Sequence, residues 1–383
     1  MATNKIVNLE SLYSVYYKYQ KFYFIFLGIW PLEGNASNFR KAWHFFRFSK
    51  FFCFWTILYI SCMVIEFFCF LDNFDKTMDS LFMLSTEFAM FSKIIELKLR
   101  NRTHKYLVDL FSSDLFKPRN ERESEIMTKA TGMTKFVRDS YGGISLISLN
   151  WVMFMPFSFK VLKLPLEGYY PIDRDQHFLL LYIYQYFGLL MHCCINITYD
   201  SWVASLLIFL GSQLDILAER LRQQKNSKKD IVLVGVEDEL KKSIHFHQDI
   251  LQFAKQVEGV IKGPFTVQMA ISVVVICVNF YALSFVNDMV KFAGYVIYQI
   301  TMMFQIFLVC YFGNLVSWKS EALSFALYEA NWFEWNAQSK QIMLIMIQRF
   351  RAPVKIQAIK LYVFNLATFT SVRIYFSFFC TFI

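Results

Sequence analysis

Six stretches of this chain stay apolar for twenty residues or more, and no other feature narrows its possible folds as far. A helix needs about 20 consecutive apolar residues to cross the ~30 Å hydrocarbon core of a bilayer. Phe51–Leu71 meets that length with one charge, Glu66. Ser140–Phe159, Phe178–Tyr199, Pro264–Asn287 and Phe292–Trp318 meet it with none, setting aside His192. Leu361–Ile383 contains only Arg373. Thr77–Leu97 is weaker, because Asp79, Glu87, Lys93 and Glu96 interrupt it.

Loop charge decides for keeping that seventh span. Cytosolic segments of membrane proteins carry the excess of Lys and Arg. With seven spans and the N-terminus inside, the cytosolic side holds seven before the first span, ten in 98–138, nine in 219–262 and six in 319–360. The external side holds only Lys76, Lys160, Lys163, Arg174 and Lys291. The C-terminus is then outside. This orientation opposes a G-protein-coupled receptor, whose N-terminus is external.

Composition agrees with a bilayer. Hydrophobic residues make up 56% of the chain and charged residues 18%, whereas soluble domains run near ~45–50% apolar. The net charge of +9 would suggest nucleic acid in a soluble protein. Here the basic residues lie between spans and report orientation, so no nucleic-acid partner is expected.

Chemistry is sparse. The eight cysteines all lie in apolar stretches and the six histidines are scattered, so neither a metal site nor a cofactor is expected. His245 and His247, two apart, fall on different faces of a helix. There is no phosphate-binding glycine loop, no His-Glu-x-x-His and no Gly-x-Ser-x-Gly, which leaves channel, transporter or non-catalytic receptor rather than enzyme. No signal peptide is read. The short apolar stretch Phe22–Trp30 follows Lys18 and Lys21, ends at Pro31, and is expected to touch the membrane without crossing it.

Several spans continue as amphipathic patterns. Leu206, Leu210, Leu214, Leu217 and Leu221 recur at three and four after Tyr199. Glu237–Val260 and Ala322–Ile347 also read as helical. Such stripes must be covered, which predicts a helical cytosolic bundle.

The C-terminal third resembles the insect odorant receptor family. The resemblance rests on Gly313-Asn314, Ser320-Glu321-Ala322-Leu323 and Tyr328-Glu-Ala-Asn-Trp332, then Arg351-Ala-Pro353 and Asn365-Leu-Ala-Thr-Phe369. Tyr199-Asp200, Leu214 and Leu221 after the fourth span add to it. The chain departs at Tyr375-Phe376-Ser377, where the family often shows Tyr-Ser. The resemblance implies a ligand-gated, non-selective cation channel of four subunits in the plasma membrane of a sensory neuron dendrite. A small volatile odorant would bind within the membrane, near its outer side. A shared co-receptor would complete a hetero-tetramer. The polar stretch Gln223–Asp238 lacks the long insertion of the co-receptor, so the chain resembles an odour-specific subunit.

The fold expected is therefore all-α: seven transmembrane helices, a cytosolic anchor bundle and a tetrameric channel. Residues 1–50 form a cytosolic segment with a membrane-dipping helix, 51–318 the first six spans, 319–360 the anchor part of the seventh helix, and 361–383 its pore-lining part. At 100° per residue, with Phe378 at zero, Ser371 falls near about +20°, Ile374 about −40°, Thr381 about −60° and Phe382 about +40°. Arg373 points away, near about −140°. Ser371, Ile374, Phe378, Thr381 and Phe382 are thus the candidate pore face, free of fixed positive charge; the same face could instead meet lipid or another helix. Arg373 is expected to pair with a carboxylate or a carbonyl.

Odorant pockets should be aromatic and aliphatic with one or two polar groups. Outer parts of the spans offer Phe82, Ser85, Thr86, Ser148, Trp151, Met155, Tyr182, Tyr186, Tyr281, Tyr295, Tyr298 and Met302. Tyr182 with Tyr186, and Tyr295 with Tyr298 and Met302, share helix faces. Ordinary helix packing is the competing reading for each residue taken singly. Two other functions stand beside the odorant reading: a gustatory-type receptor of the same superfamily, and a secondary transporter. Against the transporter, no internal repeat is seen.

Overall fold

A computed structural model describes residues 9–32, 37–69, 74–111, 113–158, 164–166, 168–224, 233–286, 288–358 and 362–370. They are mostly helical: α1 (Leu9–Phe26), α2 (Asn38–Lys50), α3 (Leu58–Cys69), α4 (Phe74–Leu99), α5 (Asn101–Phe111), α6 (Glu121–Phe154), α7 (Phe178–Arg222), α8 (Leu233–Phe285), α9 (Met289–Tyr328) and α10 (Ala337–Phe350). Helix α2 runs through a π-helical segment, Phe51–Ile57, straight into α3. Among the described residues four helices are long and apolar enough to cross a membrane: Asn38–Cys69, α7, the Gly235–Phe285 part of α8, and α9. Helices α4 and α6 carry more charge and pack against them.

Length explains the overall shape. Helix α7 has 45 residues and α8 has 53. At ~1.5 Å per residue each is at least twice as long as a bilayer core is thick. The excess of both projects from one end and builds a second, water-side bundle with α1, α5 and α10. We call this the bundle end; the opposite end, carrying residues 164–166 and 168–177, the last turn of α8 and the first of α9, is the loop end.

Helix α7 is the axis of the molecule. The leucine stripe in its second half predicts one buried face, yet Tyr199–Leu214 are buried all round. A helix buried on every side is a core helix, and α1, α6, α8 and α9 enclose it. Around it at the bundle end sits an aromatic cluster. Phe111 and Phe209 have ring centroids 4.5 Å apart, Tyr16 lies 5.4 Å from Phe209, and Phe253 lies 5.5 Å from Phe209. Tyr16 and Phe24 seat α1 in this core, and Leu27, Ile29 and Trp30 are buried with it. Within the apolar stretch Phe22–Trp30, Phe24, Leu27, Ile29 and Trp30 thus pack on protein, while Phe22, Ile25 and Phe26 stay exposed. Gly28 ends α1 at φ +72°, a left-handed geometry that suits glycine. A Cβ there would lie 2.7 Å from the His44 carbonyl oxygen.

Polar caps and pairs finish the bundle end. Asn120 caps α6, its Oδ1 accepting from the Glu123 N–H at 2.8 Å. The same Glu123 receives a bidentate Arg220 from α7, at 3.0 and 2.8 Å, the strong fork geometry of guanidinium and carboxylate. Trp202 donates its indole N–H to His104 Nδ1 at 3.0 Å. Burial, with Arg100 nearby, pushes the His104 pKa down to about 4, so the ring is neutral with its proton on Nε2.

Pro264 lies inside α8, where it removes a backbone donor and leaves the carbonyl four residues earlier unmet. That carbonyl is Val260, and it accepts the Tyr199 hydroxyl at 3.1 Å. Next to it, Gly259 O accepts Arg100 Nη1 at 2.6 Å. The proline is thus absorbed without breaking the helix.

The chain after α9 departs from the continuous pattern read over Ala322–Ile347. Helix α9 stops at Tyr328, a short turn at Trp332–Glu334 follows, and Asn336 caps α10 by accepting from the Ser339 N–H at 2.7 Å. Beyond α10, Gln357–Ala358 (β1) pairs antiparallel with Tyr362–Val363 (β2). Helix resumes only at 366, five residues later than the expected start of the last span. Pro353 and this small hairpin separate the two helical parts.

Candidate ligand-binding site

Helices α4, α6, α7, α8 and α9 converge in the half of the molecule nearer the loop end. The candidate site is built there from the inside outwards.

Its floor is a set of buried charges that look unfavourable in the sequence and are paired in space. Lys93 of α4 meets Asp200 of α7 at 2.7 Å, both side chains fully buried. Asn196 accepts a further hydrogen bond from Lys93 at 3.0 Å. Tyr141 of α6 donates to Asp200 at 3.0 Å, and the Gln305 amide of α9 donates to it as well. Four helices are therefore tied at one level. Such a pair stays stable in a low-dielectric interior only when its remaining lone pairs and protons are also met. Two turns nearer the loop end, Glu87 Oε2 lies 2.7 Å from His192 Nδ1. Thr56, in the π-helical segment, stands 3.5 Å from the other ring nitrogen. Glu66, the charge in the first span, pairs with Arg174 at 3.1 Å. Arg174 also donates to Gly168 O at 2.9 Å. With Gln185 holding both Leu166 and Tyr170, these bonds hold residues 164–166 and 168–177 against α3 and α7.

Above that floor, most of the sequence-predicted pocket residues fall into two neighbouring groups. In the first, Thr86 and Tyr298 join their hydroxyls at 2.5 Å between α4 and α9. Met302, one turn along α9, is buried against Val275, with Met83, Ile271, Val278 and Tyr298 packed around them. In the second, Trp151 of α6 donates its indole N–H to Val290 O at 3.2 Å. A Cβ on Gly294 would lie 3.1 Å from Trp151 Cδ1 and 4.0 Å from Met155 Sδ. That glycine lets Trp151 and Met155 close on α9 one turn from Tyr295 and Tyr298. Ser148 is buried one turn below Trp151 on α6.

The remaining residues sit elsewhere or nearer the edge. Tyr182 donates to Met153 O at 3.0 Å and packs on Phe157 and Phe178, closing the α6–α7 side. Tyr186 is half-buried beside Phe187, and Ser85 is half-buried on α4. Phe82 lies on α4, with its side chain outside the described part. Tyr281 packs on Phe285, centroids 4.7 Å apart, at the end of α8. It points about 120° away from Val275 on the helical wheel, and so off the face that lines the group. Ser371, Ile374, Phe378, Thr381 and Phe382, with Arg373, lie outside the described residues.

Sequence reading missed Asn279 and Gln299. Asn279 Nδ2 donates to Gln299 Oε1 at 2.6 Å and to Tyr295 O at 3.1 Å, and both side chains are buried. The available signal was a polar residue inside an otherwise apolar span, which by default faces the bundle interior.

Chemically, the arrangement offers aromatic and thioether surface, a few hydrogen-bonding groups and no nucleophile paired with a base. It can bind a small, largely apolar molecule.

Comparison with known proteins points the same way. Residues 73–373 match the family model described as 7tm Odorant receptor. Isoform A of Odorant receptor 46a from Drosophila melanogaster is 31% identical over 367 residues, covering 94% of each chain. Odorant receptor Or1 from Anopheles gambiae is 21% identical over 381 residues, covering 91% of this chain and 89% of that one. Among solved structures, the olfactory receptor OR5 from Machilis hrabei superposes with a TM-score of 0.83 at 18% identity, covering 97% of this chain and 99% of that chain. The same receptor in complex with eugenol gives a TM-score of 0.81.

Proposed function

Since the chain belongs to the insect odorant receptor family, we propose that it is an odour-specific subunit of a ligand-gated, non-selective cation channel. It spans the membrane seven times with its N-terminus in the cytosol, and it assembles with a co-receptor into a tetramer in the dendritic plasma membrane. A small volatile molecule binds between α4, α6, α8 and α9, against Thr86, Trp151, Met155, Tyr298 and Met302.

The observation that carries this reading is the Thr86–Tyr298–Met302 group, half-buried at Thr86 and Tyr298 and buried at Met302, above the Lys93–Asp200 network. The first gives a ligand an apolar, aromatic seat with few polar groups. The second ties four helices together below it, so a ligand that shifts α4 against α9 is felt along all of them. Binding then opens the channel by favouring the open arrangement over the closed one. Helix α9 passes the displacement to residues 362–370, which lead into the pore-lining segment. There Ser371, Ile374, Phe378, Thr381 and Phe382 form the constriction, whose bulky apolar members close it by dewetting.

The test is whole-cell current in cells expressing the chain with and without an insect co-receptor, with G-protein signalling blocked. Volatile esters, alcohols, ethers and terpenes should evoke a fast cation current only when both chains are present. Silence to every volatile, despite surface expression of both chains, would overturn the reading.

A further inference from the structure

Helix α8 is built inside out near the loop end. Its exposed side carries Val267, Val273 and Val274, while Gln268, Ser272 and Asn279 are buried. With Gln268 at zero, Ser272 falls near about 40°, Val275 near about −20° and Asn279 near about 20°. One narrow face therefore carries three polar side chains and the valine that packs on Met302. In a membrane bundle such a face needs partners. The Gln268 amide and the Ser272 hydroxyl have none among the described residues.

At the outer end of this face the Asn279–Gln299 pair is more specific. The Tyr295 carbonyl can only accept, so the Asn279 atom facing it at 3.1 Å must be the nitrogen. The same nitrogen faces Gln299 at 2.6 Å, which makes that atom of Gln299 its oxygen. Both orientations are therefore settled by the hydrogen-bond pattern. What is left over is one acceptor, Asn279 Oδ1, and one donor group, Gln299 Nε2, both buried and without a partner among the described residues. A buried polar atom left unmet forfeits its whole desolvation cost. Gln299 neighbours Tyr298 in the chain, and Asn279 lies one helical turn beyond Val275, so the free pair borders the apolar seat.

The structure assigns this pair to the ligand: a hydroxyl group donates to Asn279 Oδ1 and accepts from Gln299 Nε2, and the receptor prefers small alcohols over their ethers and hydrocarbons. A hydroxyl supplies both functions from a single oxygen. An ether or ester can only accept and leaves Asn279 Oδ1 unmet. The inference deepens the receptor reading above and rests on it.

The experiment compares matched probes, 1-hexanol with methyl pentyl ether and benzyl alcohol with benzyl methyl ether, as concentration–response curves of current with the co-receptor. The unmodified receptor should respond to each alcohol at about tenfold lower concentration than to its ether, the size of one buried hydrogen bond. Asn279→Leu should remove that difference by weakening the alcohols and leaving the ethers within about twofold, whereas Gln299→Met, close in shape, removes the bond that both probes accept and should weaken alcohol and ether together. A retained ether response reports that a variant folds. Equal potency of alcohol and ether on the unmodified receptor overturns the inference and needs no variant. An Asn279→Leu variant that weakens both probes alike also overturns it, since that indicates a structural role for the residue. Silence to all four probes, with responses to other volatiles, removes the inference alone; silence to every volatile removes the receptor reading as well.

Discussion

Lys93 and Asp200 show how much a single residue pair can decide. Either would be costly alone in a bilayer-spanning bundle, and together they collect Tyr141, Asn196 and Gln305 around one carboxylate and one ammonium. Removing one partner leaves an uncompensated buried charge, a loss of about 3–5 kcal/mol. Lys93→Met should therefore lower the melting temperature of the detergent-solubilised protein sharply, followed by fluorescence-detected size exclusion. Lys93→Met combined with Asp200→Leu should recover much of the loss, because no charge is then left unpaired. If the double variant is as unstable as the sum of the two singles, the charges are not coupled.

At the scale of elements, the close approach of α9 to the segment after β2 is set by Gly313. A Cβ at that position would collide with the Phe364 carbonyl oxygen and lie 3.0 Å from Phe364 Cβ. Backbone cannot rotate out of the way as a side chain can, so Gly313→Ala must push the two elements apart. Overpacking of this kind costs about 1–3 kcal/mol. The same segment leads into the proposed pore. Gly313→Ala is thus expected to reduce odorant-evoked current more than surface expression, measured together by patch clamp and surface biotinylation. Unchanged current would show that this contact does not transmit gating. Pro264 illustrates the opposite case, a local fault answered by a neighbouring helix. Tyr199 supplies the donor that the proline removed.

For the whole molecule the decisive quantity is the distribution of charge between its ends. The bundle end carries the α1, α5 and α10 segments and most of the basic residues, and the positive-inside bias predicts that this end faces the cytosol. An epitope appended after Ile383 should bind antibody on intact cells, whereas one placed before Met1 should require permeabilisation. The reverse pattern would invert the topology and move the ligand site to the cytosolic leaflet. The water-side bundle follows from the same arithmetic of length: helices as long as α7 and α8 cannot end inside a bilayer, so their remainder must pack with something.

By itself the sequence determined that the chain carries apolar runs of membrane-spanning length, that its basic residues are unevenly distributed between them and which family it resembles. Those properties depend on runs of hydropathy and on counts of charge, which need no knowledge of neighbours. The grouping of Thr86, Trp151, Tyr298 and Met302 was also partly legible, since helical spacing puts residues on a common face. The tertiary structure alone decided the rest. It made α7 a core helix, stopped α9 at Tyr328, moved Tyr281 off the lining face and joined Asn279 to Gln299. It also turned Glu66, Glu87 and Lys93 from apparent faults in their spans into side chains that each face a partner. The physical reason is that a buried polar group is favourable or costly according to the atom opposite it. That atom lies 103 or more residues away for all three of these charges, a distance along the chain that no local pattern can read.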